Sequence, residues 1–236
     1  MPTTTYAPAV SAPLAVIRLP GLTPYLPMWE RQRELADARI RGDLDHDLLL
    51  LLEHDHVYTN GRRGDPRHLL VDDRQLAELG AAYHKIDRGG DITYHGPGQM
   101  VGYAIINLNA AGLSLRAYVR MLEQAIIQAV AGFGIEAEYV PGLTGVWVGE
   151  EKLAAIGVKV SHGVTWHGFA LNVSTDLSYF GHITPCGIAD RGVTSLSRLT
   201  GREIGVDEVV EPLAIAFGSL LGTRVVRKWS SGLPGL

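Results

Sequence analysis

Cysteine is almost missing from this chain. Its 236 residues include one, Cys186, which excludes an internal disulfide and a multi-cysteine metal site. No apolar run approaches the ~20 residues of a membrane span. Basic residues are not in excess either. Lys and Arg number 21 against 25 Asp and Glu, a net charge of −4, which argues against a nucleic-acid footprint. The first thirteen residues, MPTTTYAPAVSAP, carry no positive charge, and the first basic residue is Arg18. A secretory leader needs that charge before its apolar stretch. The expectation is a disordered lead over residues 1–13 and a cytoplasmic, reducing home in which a lone thiol stays free. What the chain does have is a 46% hydrophobic content, enough for a buried core, and 28 glycines, which suit tight turns and close approach to a ligand.

Residues 14–19 read as a first β-strand. Thr23 as cap and Pro24 as first helical residue open a helix through about Arg41. The leucine run 48–52 is short enough for a buried strand, with another short strand over 57–59. A loop follows that carries Arg62, Arg63 and Arg67, then a short helix over 73–80 and a strand over 82–87. Residues 88–99, RGGDITYHGPGQ, hold four glycines and a proline and exclude a regular helix. Residues 101–108 are apolar on both faces and belong inside a sheet. The best amphipathic helix runs from a Ser114 cap to Gly132 or Gly134. Short strands over 136–140, 145–148, 153–160 and 164–173 have turn-like separators, so they pair antiparallel. A last helix spans 206–221, kinked or started at Pro212, and 230–236 is a loose tail. No repeat or linker divides the chain, and the reading is one α+β domain over 14–229.

Three segments carry candidate chemistry. Cys186 sits between Pro185 and Gly187, which keep it out of regular structure. Most lone cysteines are small buried hydrophobes, and a nucleophilic one needs a cation or helix N-terminus to stay ionised, since the free pKa is ~8.5. Lys152 is a candidate cation at the start of the apolar strand KLAAIG, although a solvated lysine at a strand end is the ordinary case. The backbone N–H groups of the small residues that follow suit an oxyanion site. The glycine-rich stretch from Arg88 to Gln99 is the strongest local signal, and it matches neither a nucleotide P-loop nor a dinucleotide fingerprint. His54 and His56 share one strand face, but no His-Glu-x-x-His motif accompanies them, so a metal site is not expected. Arg62, Arg63 and Arg67 read as a solvated loop or as a dock for an acidic protein.

Taken together these segments resemble the octanoyltransferases of lipoate biosynthesis, the lipoyl(octanoyl) transferases. The resemblance rests on RGGDITYHGPGQ over 88–99, KLAAIG over 152–157 with WHGFALN over 166–172, and Pro185-Cys186-Gly187. It spans roughly residues 48–197. It implies a mixed, largely antiparallel sheet flanked by helices, as in the catalytic domains of biotin and lipoate protein ligases. It implies transfer of an octanoyl group from octanoyl-acyl carrier protein to a lysine of lipoyl domains in 2-oxoacid dehydrogenases and the glycine-cleavage protein, with no cofactor and no metal. The family's nucleophile falls on Cys186 and its thiolate-stabilising lysine on Lys152. Its substrate contacts fall on Arg88, Gly89, Gly90, Asp91, Ile92, Thr93, Tyr94 and His95, on Ala155, Ile156 and Gly157, and on Gly168, Phe169 and Ala170.

Physical chemistry is consistent with that role. A thioester donor arrives activated, so no ATP and no nucleotide loop are needed. The acceptor amine, with pKa ~10.4, must lose a proton; Lys152, made neutral by apolar surroundings once the thiolate is acylated, is the expected base. Six methylenes at ~0.8 kcal/mol contribute roughly 5 kcal/mol if buried, too little per carbon to discriminate neighbouring chain lengths beyond about tenfold. Tyr94 and His95 are expected at the cleft mouth. Three rivals remain: an ATP-dependent lipoate or biotin protein ligase of the same fold, a cysteine hydrolase served by His95 or His167, and a non-catalytic acyl-binding module.

Overall fold

The structure is a computed structural model describing residues 12–184 and 191–229. Residues 1–11, 185–190 and 230–236 lie outside it, which removes most of the expected lead, the tail and Cys186 from the description. Eight strands form the main sheet: β1 (Leu14–Thr23), β2 (Asp47–His54), β6 (Gln99–Ile105), β7 (Glu138–Val140), β8 (Leu143–Val148), β9 (Glu151–Ser161), β10 (Val164–Asn172) and β11 (Val225–Trp229). Their spatial order is β11-β1-β2-β6-β10-β9-β8-β7. β1 is parallel to both β11 and β2, and every other pair in this sheet is antiparallel. The fold is therefore α+β with a mixed, mostly antiparallel sheet. A second, three-stranded sheet joins β4 (Ala82–Lys85), β3 (Val57–Asn60) and β5 (Ile92–His95) in that order.

Helices cover both faces of the large sheet. Leu49, Leu51, Ala104, Phe169 and Leu171 point to one side, where α3 (Leu115–Ala131) and α5 (Val210–Leu221) supply Leu122, Ile126, Leu213 and Phe217. Leu48, Leu50, Leu52, Val101, Tyr103 and Ala170 point to the other, against Met28, Leu35 and Ala36 of α1 (Tyr25–Arg41). Adjacent leucines alternate between two buried layers, which is why β2 is a continuous leucine run and not an alternating pattern. Two short helices, α2 (Asp73–Glu78) and α4 (Leu196–Thr200), complete the set. Among the described residues no helix is long and apolar enough to cross a membrane.

Most expected elements are present, with shifted ends. Thr23 finishes β1, so Pro24 occupies the cap position of α1, which has no side-chain cap bond. Ser114 caps α3 by accepting from the Ala117 N–H. Pro212 lies inside the first turn of α5, behind a 3₁₀ turn over Val206–Val209. Three elements were not anticipated. β5 forms within the glycine-rich stretch, because Ile92–His95 finds a partner in β3. β11 exists because β1 offers it an open edge, and α4 is only one turn long.

Gly102 on β6 faces Phe169 so closely that an added Cβ would run into the ring. Overpacking of this kind costs about 1–3 kcal/mol. Gly102→Ala is expected to lower the unfolding free energy by that amount, read in a urea titration as a lower midpoint with an unchanged slope.

Candidate functional site

A cavity of about 550 Å³ lies between the large sheet and the glycine-rich loop. Its floor comes from β9 and β10, where Ala155 lies opposite Ala170 and Gly157 opposite Gly168. These four small side chains leave a trough where larger ones would fill the space. The loop Arg88–Asp91 forms the roof. Gly89 donates its N–H to the Val158 carbonyl at 2.9 Å. A Cβ at Gly157 would come within 2.9 Å of both the Gly89 carbonyl oxygen and Arg88 Cδ, so backbone rests on backbone and only glycine fits.

Lys152 stands at one end of the trough. Val158, which pairs with His167, is six residues further along β9, or ~20 Å at ~3.3 Å per residue. Val193 pairs with Lys152 through N–H donation by Lys152 to Gly192 and by Thr194 to Lys152, at 2.9 and 3.1 Å. The ammonium Nζ lies 4.8 Å from the Trp147 ring centroid. Among the described residues no carboxylate pairs with it. Burial pushes the Lys152 ammonium below its ordinary pKa.

The roof is tied down by polar bonds. The buried Arg88 guanidinium donates to the Thr59 carbonyl at 2.6 Å, to Thr59 Oγ1 at 3.0 Å and to the Gly89 carbonyl at 3.0 Å. Asp91 lies 2.7 Å from His68 Nδ1. His95 Nδ1 is 2.8 Å from Gln99 Oε1. Gln99 uses its amide N–H groups on Asn172 Oδ1 and the Tyr94 carbonyl, so its oxygen accepts and His95 carries its proton on Nδ1. The Thr59 hydroxyl then meets His95 Nε2 at 3.3 Å. Burial, followed by the nearby His54, pushes His95 down to about 3.

The opposite end is polar. His54 Nδ1 donates to the Thr23 carbonyl and its Nε2 accepts from the Tyr103 hydroxyl, both at 2.6 Å. Burial pushes His54 down to about 4. His167 Nε2 meets Asp87 Oδ1 at 3.0 Å, and Trp29 Nε1 donates to the same oxygen at 3.0 Å. Burial raises Asp87, but these partners outweigh it and hold the carboxyl at about 2. His167 adopts φ 57°, a strained value for a non-glycine residue, with its N–H bonded to Gln32 Oε1 at 2.9 Å.

Fourteen of the sixteen residues singled out from the sequence line this one cavity: Lys152, Arg88 to Thr93, His95, Ala155 to Gly157, and Gly168 to Ala170. Cys186 lies outside the described residues. Tyr94 turns away from the cleft mouth, because alternate residues of β5 face opposite ways. Its hydroxyl lies 2.6 Å from His56 Nδ1 and its ring stacks on Tyr179. His54 and His56 do not form a pair, since one bonds Tyr103 at the polar end and the other joins this satellite cluster. Among the described residues no group of three or more His, Cys, Asp or Glu side chains is placed to hold a metal ion. Arg63 reaches the cavity, while Arg67 is held by Asp65. Sequence reasoning named His167 only as a rival's catalytic base and missed the polar end, where Tyr25, Tyr103 and His167 line the cavity and Asp87 holds His167. A histidine within the apolar strand WHGFALN was the available signal.

The fold and cavity together set a trough of small residues beside a desolvated lysine. Residues 24–218 match the family described as the lipoyl protein ligase A/B catalytic domain. An octanoyltransferase of Rubrobacter xylanophilus is 52% identical over 89% of this chain and 95% of its own length. One from Bacteroides thetaiotaomicron is 46% identical over 86% and 94%. A chain from a structural analysis of a bi-partite lipoate protein ligase and its E2 lipoyl domain from Thermoplasma acidophilum shares the fold at a TM-score of 0.69 and 18% identity, over 96% of this chain and 89% of that one. The chain belongs to the lipoyl protein ligase A/B catalytic-domain family, within its octanoyltransferase group, and is an acyltransferase.

The buried histidines give a pH dependence. Unfolded, both titrate near ~6.5; folded, His54 does so at about 4 and His95 at about 3. Above pH 6.5 neither state takes up a proton and nothing is lost. As pH falls from 6.5 towards 4, only the unfolded chain binds these protons, so stability declines by up to ~1.4 kcal/mol per pH unit for each histidine. Urea midpoints measured from pH 7 to 4 are expected to fall, and to fall less steeply in His54→Gln.

Proposed function

We propose that this enzyme transfers an octanoyl group from the thioester of an acyl carrier protein to a lysine of a lipoyl domain, through a thioester on Cys186. The observation that carries this reading is the small-residue trough ending at Lys152, an ammonium without a carboxylate partner among the described residues. In sequence, Cys186 stands between Phe180 and Val193, which both line the cavity, and Val193 pairs with Lys152.

The chemistry then balances. The Cys186 thiolate, stabilised by the Lys152 ammonium, attacks the donor carbonyl. The tetrahedral intermediate collapses, and the departing donor thiolate takes the Lys152 proton. Acylation removes the negative charge that kept Lys152 protonated, and burial favours its neutral form. Lys152 next accepts a proton from the acceptor ammonium. The free amine attacks the Cys186 thioester, one proton leaves to solvent, and the amide and the regenerated thiolate–ammonium pair result. No ATP enters the cycle. The Val158 carbonyl points away from β10 to accept from Gly89, so by the two-residue period of a strand the Ile156 N–H points that way too. Gly157 lies opposite Gly168 within the ladder, and Ile156 is therefore the better donor to an oxyanion.

The decisive experiment incubates the protein with octanoyl-carrier protein and an apo lipoyl domain without ATP, and weighs both proteins by mass spectrometry. Octanoylated domain is expected. Modification that instead requires free octanoate and ATP identifies a ligase, and accumulation of free octanoate identifies a hydrolase. Cys186→Ser is expected to show no covalent octanoyl adduct in the intact mass. Lys152→Ala is expected to move the pH profile of iodoacetamide alkylation to higher pH, and an unmoved profile removes Lys152 from thiolate stabilisation.

A further inference from the structure

The turn beside the cavity mouth carries charge that the reaction chemistry does not use. Arg62 and Arg63 are exposed, and among the described residues neither pairs with a carboxylate. Their neighbour Arg67 is neutralised by Asp65, whose carboxylate receives its guanidinium at 2.6 Å. Lys85 is exposed at the end of β4, opposite Asn60 in the register of the small sheet, next to this turn. Leu70, a large apolar side chain further along the same loop, is 56% exposed.

The turn is rigidly joined to the site. Arg62 donates its N–H to the Arg88 carbonyl at 3.0 Å, and Arg63 to the Gly90 carbonyl at 3.1 Å. A Cβ at Gly61 would come within 2.5 Å of the Gly90 oxygen, so turn and roof are in backbone contact. Downstream, Leu70 donates to His182 at 2.9 Å and Thr184 donates to His68 at 2.8 Å. One loop thus connects the roof of the cavity to the segment containing Phe180, another lining residue.

Unpaired guanidinium and ammonium groups in a chain of net charge −4 are a local positive feature on a mildly acidic surface. Such a feature attracts acidic proteins and repels basic ones. We propose that Arg62 and Lys85, with Leu70, form the docking surface for the acyl donor, an acidic protein that presents its thioester on an arm entering past Arg63. The proposal rests on the acyl-transfer reading above and assigns it a donor-specific surface. Arg62 and Lys85 touch neither the trough nor Lys152, so their charge affects encounter and not chemistry.

The test compares two donors on Arg62→Glu and on the double variant Arg62→Glu/Lys85→Glu. One is octanoyl-carrier protein; the other is octanoyl-N-acetylcysteamine, an uncharged small thioester. Charge reversal is expected to raise KM for the carrier donor about tenfold or more, as like-charge juxtaposition does at an interface. It is expected to leave kcat/KM for the small thioester within about twofold, since short-range chemistry is untouched. The wild-type preference for the carrier is expected to fall with added salt and that of the double variant to be flatter. Unchanged carrier KM overturns the proposal. Equal losses with both donors overturn it as well, because the residues would then act on the site. A raised KM for the lipoyl domain alone assigns the surface to the acceptor and also overturns it. Absence of transfer by the wild-type protein with either donor is a separate result, which refutes the acyl-transfer reading itself.

Discussion

Backbone-to-backbone contact between the glycine-rich loop and β9 is the constraint on which the site depends. Gly89 and Gly157 meet without side chains, and the Gly89 N–H is bonded to the Val158 carbonyl. A side chain at Gly157 would lift the loop from the sheet. With the loop seated, Arg88 reaches Thr59 across the junction, the large and small sheets are locked together, and β5 is held where Thr93 and His95 face the cavity. The same contact brings the Arg62–Arg63 turn to the mouth, since its amides bond to carbonyls of the same loop. Roof, junction and rim thus share one cause.

Charge is arranged unequally along the trough. At the polar end the histidines are partnered: His54 with Thr23 and Tyr103, His95 with Gln99, His167 with Asp87. Burial keeps His54 and His95 neutral at physiological pH, and satisfied neutral groups can be buried at small cost. At the other end Lys152 has an aromatic ring beside it and no carboxylate among the described residues. An ammonium so placed is stable only beside an incoming negative charge. Under the acyl-transfer proposal the asymmetry gives the trough a direction, with the reacting end at the unpaired cation.

The main elements were legible where periodicity or punctuation was strong. The leucine run of β2, the Ser114 cap of α3 and the glycine of each tight turn follow from local rules, and the two motif segments within the described residues, 88–99 and 152–157 with 166–172, converge on one cavity. What was illegible depended on distant partners. β5 is a strand only because β3 lies beside it, and β11 only because β1 has a free edge. The resemblance puts Tyr94 at the cleft, but alternation on β5 sends it to Tyr179. Asp87 and His167 stand 80 residues apart, and nothing in either local sequence announces their pairing. Their pairing is set by the crossing of β10 with the strand end that precedes Arg88.

The trough also limits how chain length can be read under the acyl-transfer proposal. A chain one methylene short forfeits ~0.8 kcal/mol of burial, a factor of about four, and leaves space the flexible tail can partly recover. The hydrogen-bonded groups at the polar end, Tyr103 with His54 and His167 with Asp87, stand ~20 Å along β9 from Lys152, farther than an extended eight-carbon chain reaches. Discrimination between neighbouring lengths therefore rests on the burial of each methylene along the trough, a modest contribution for shorter and longer chains alike.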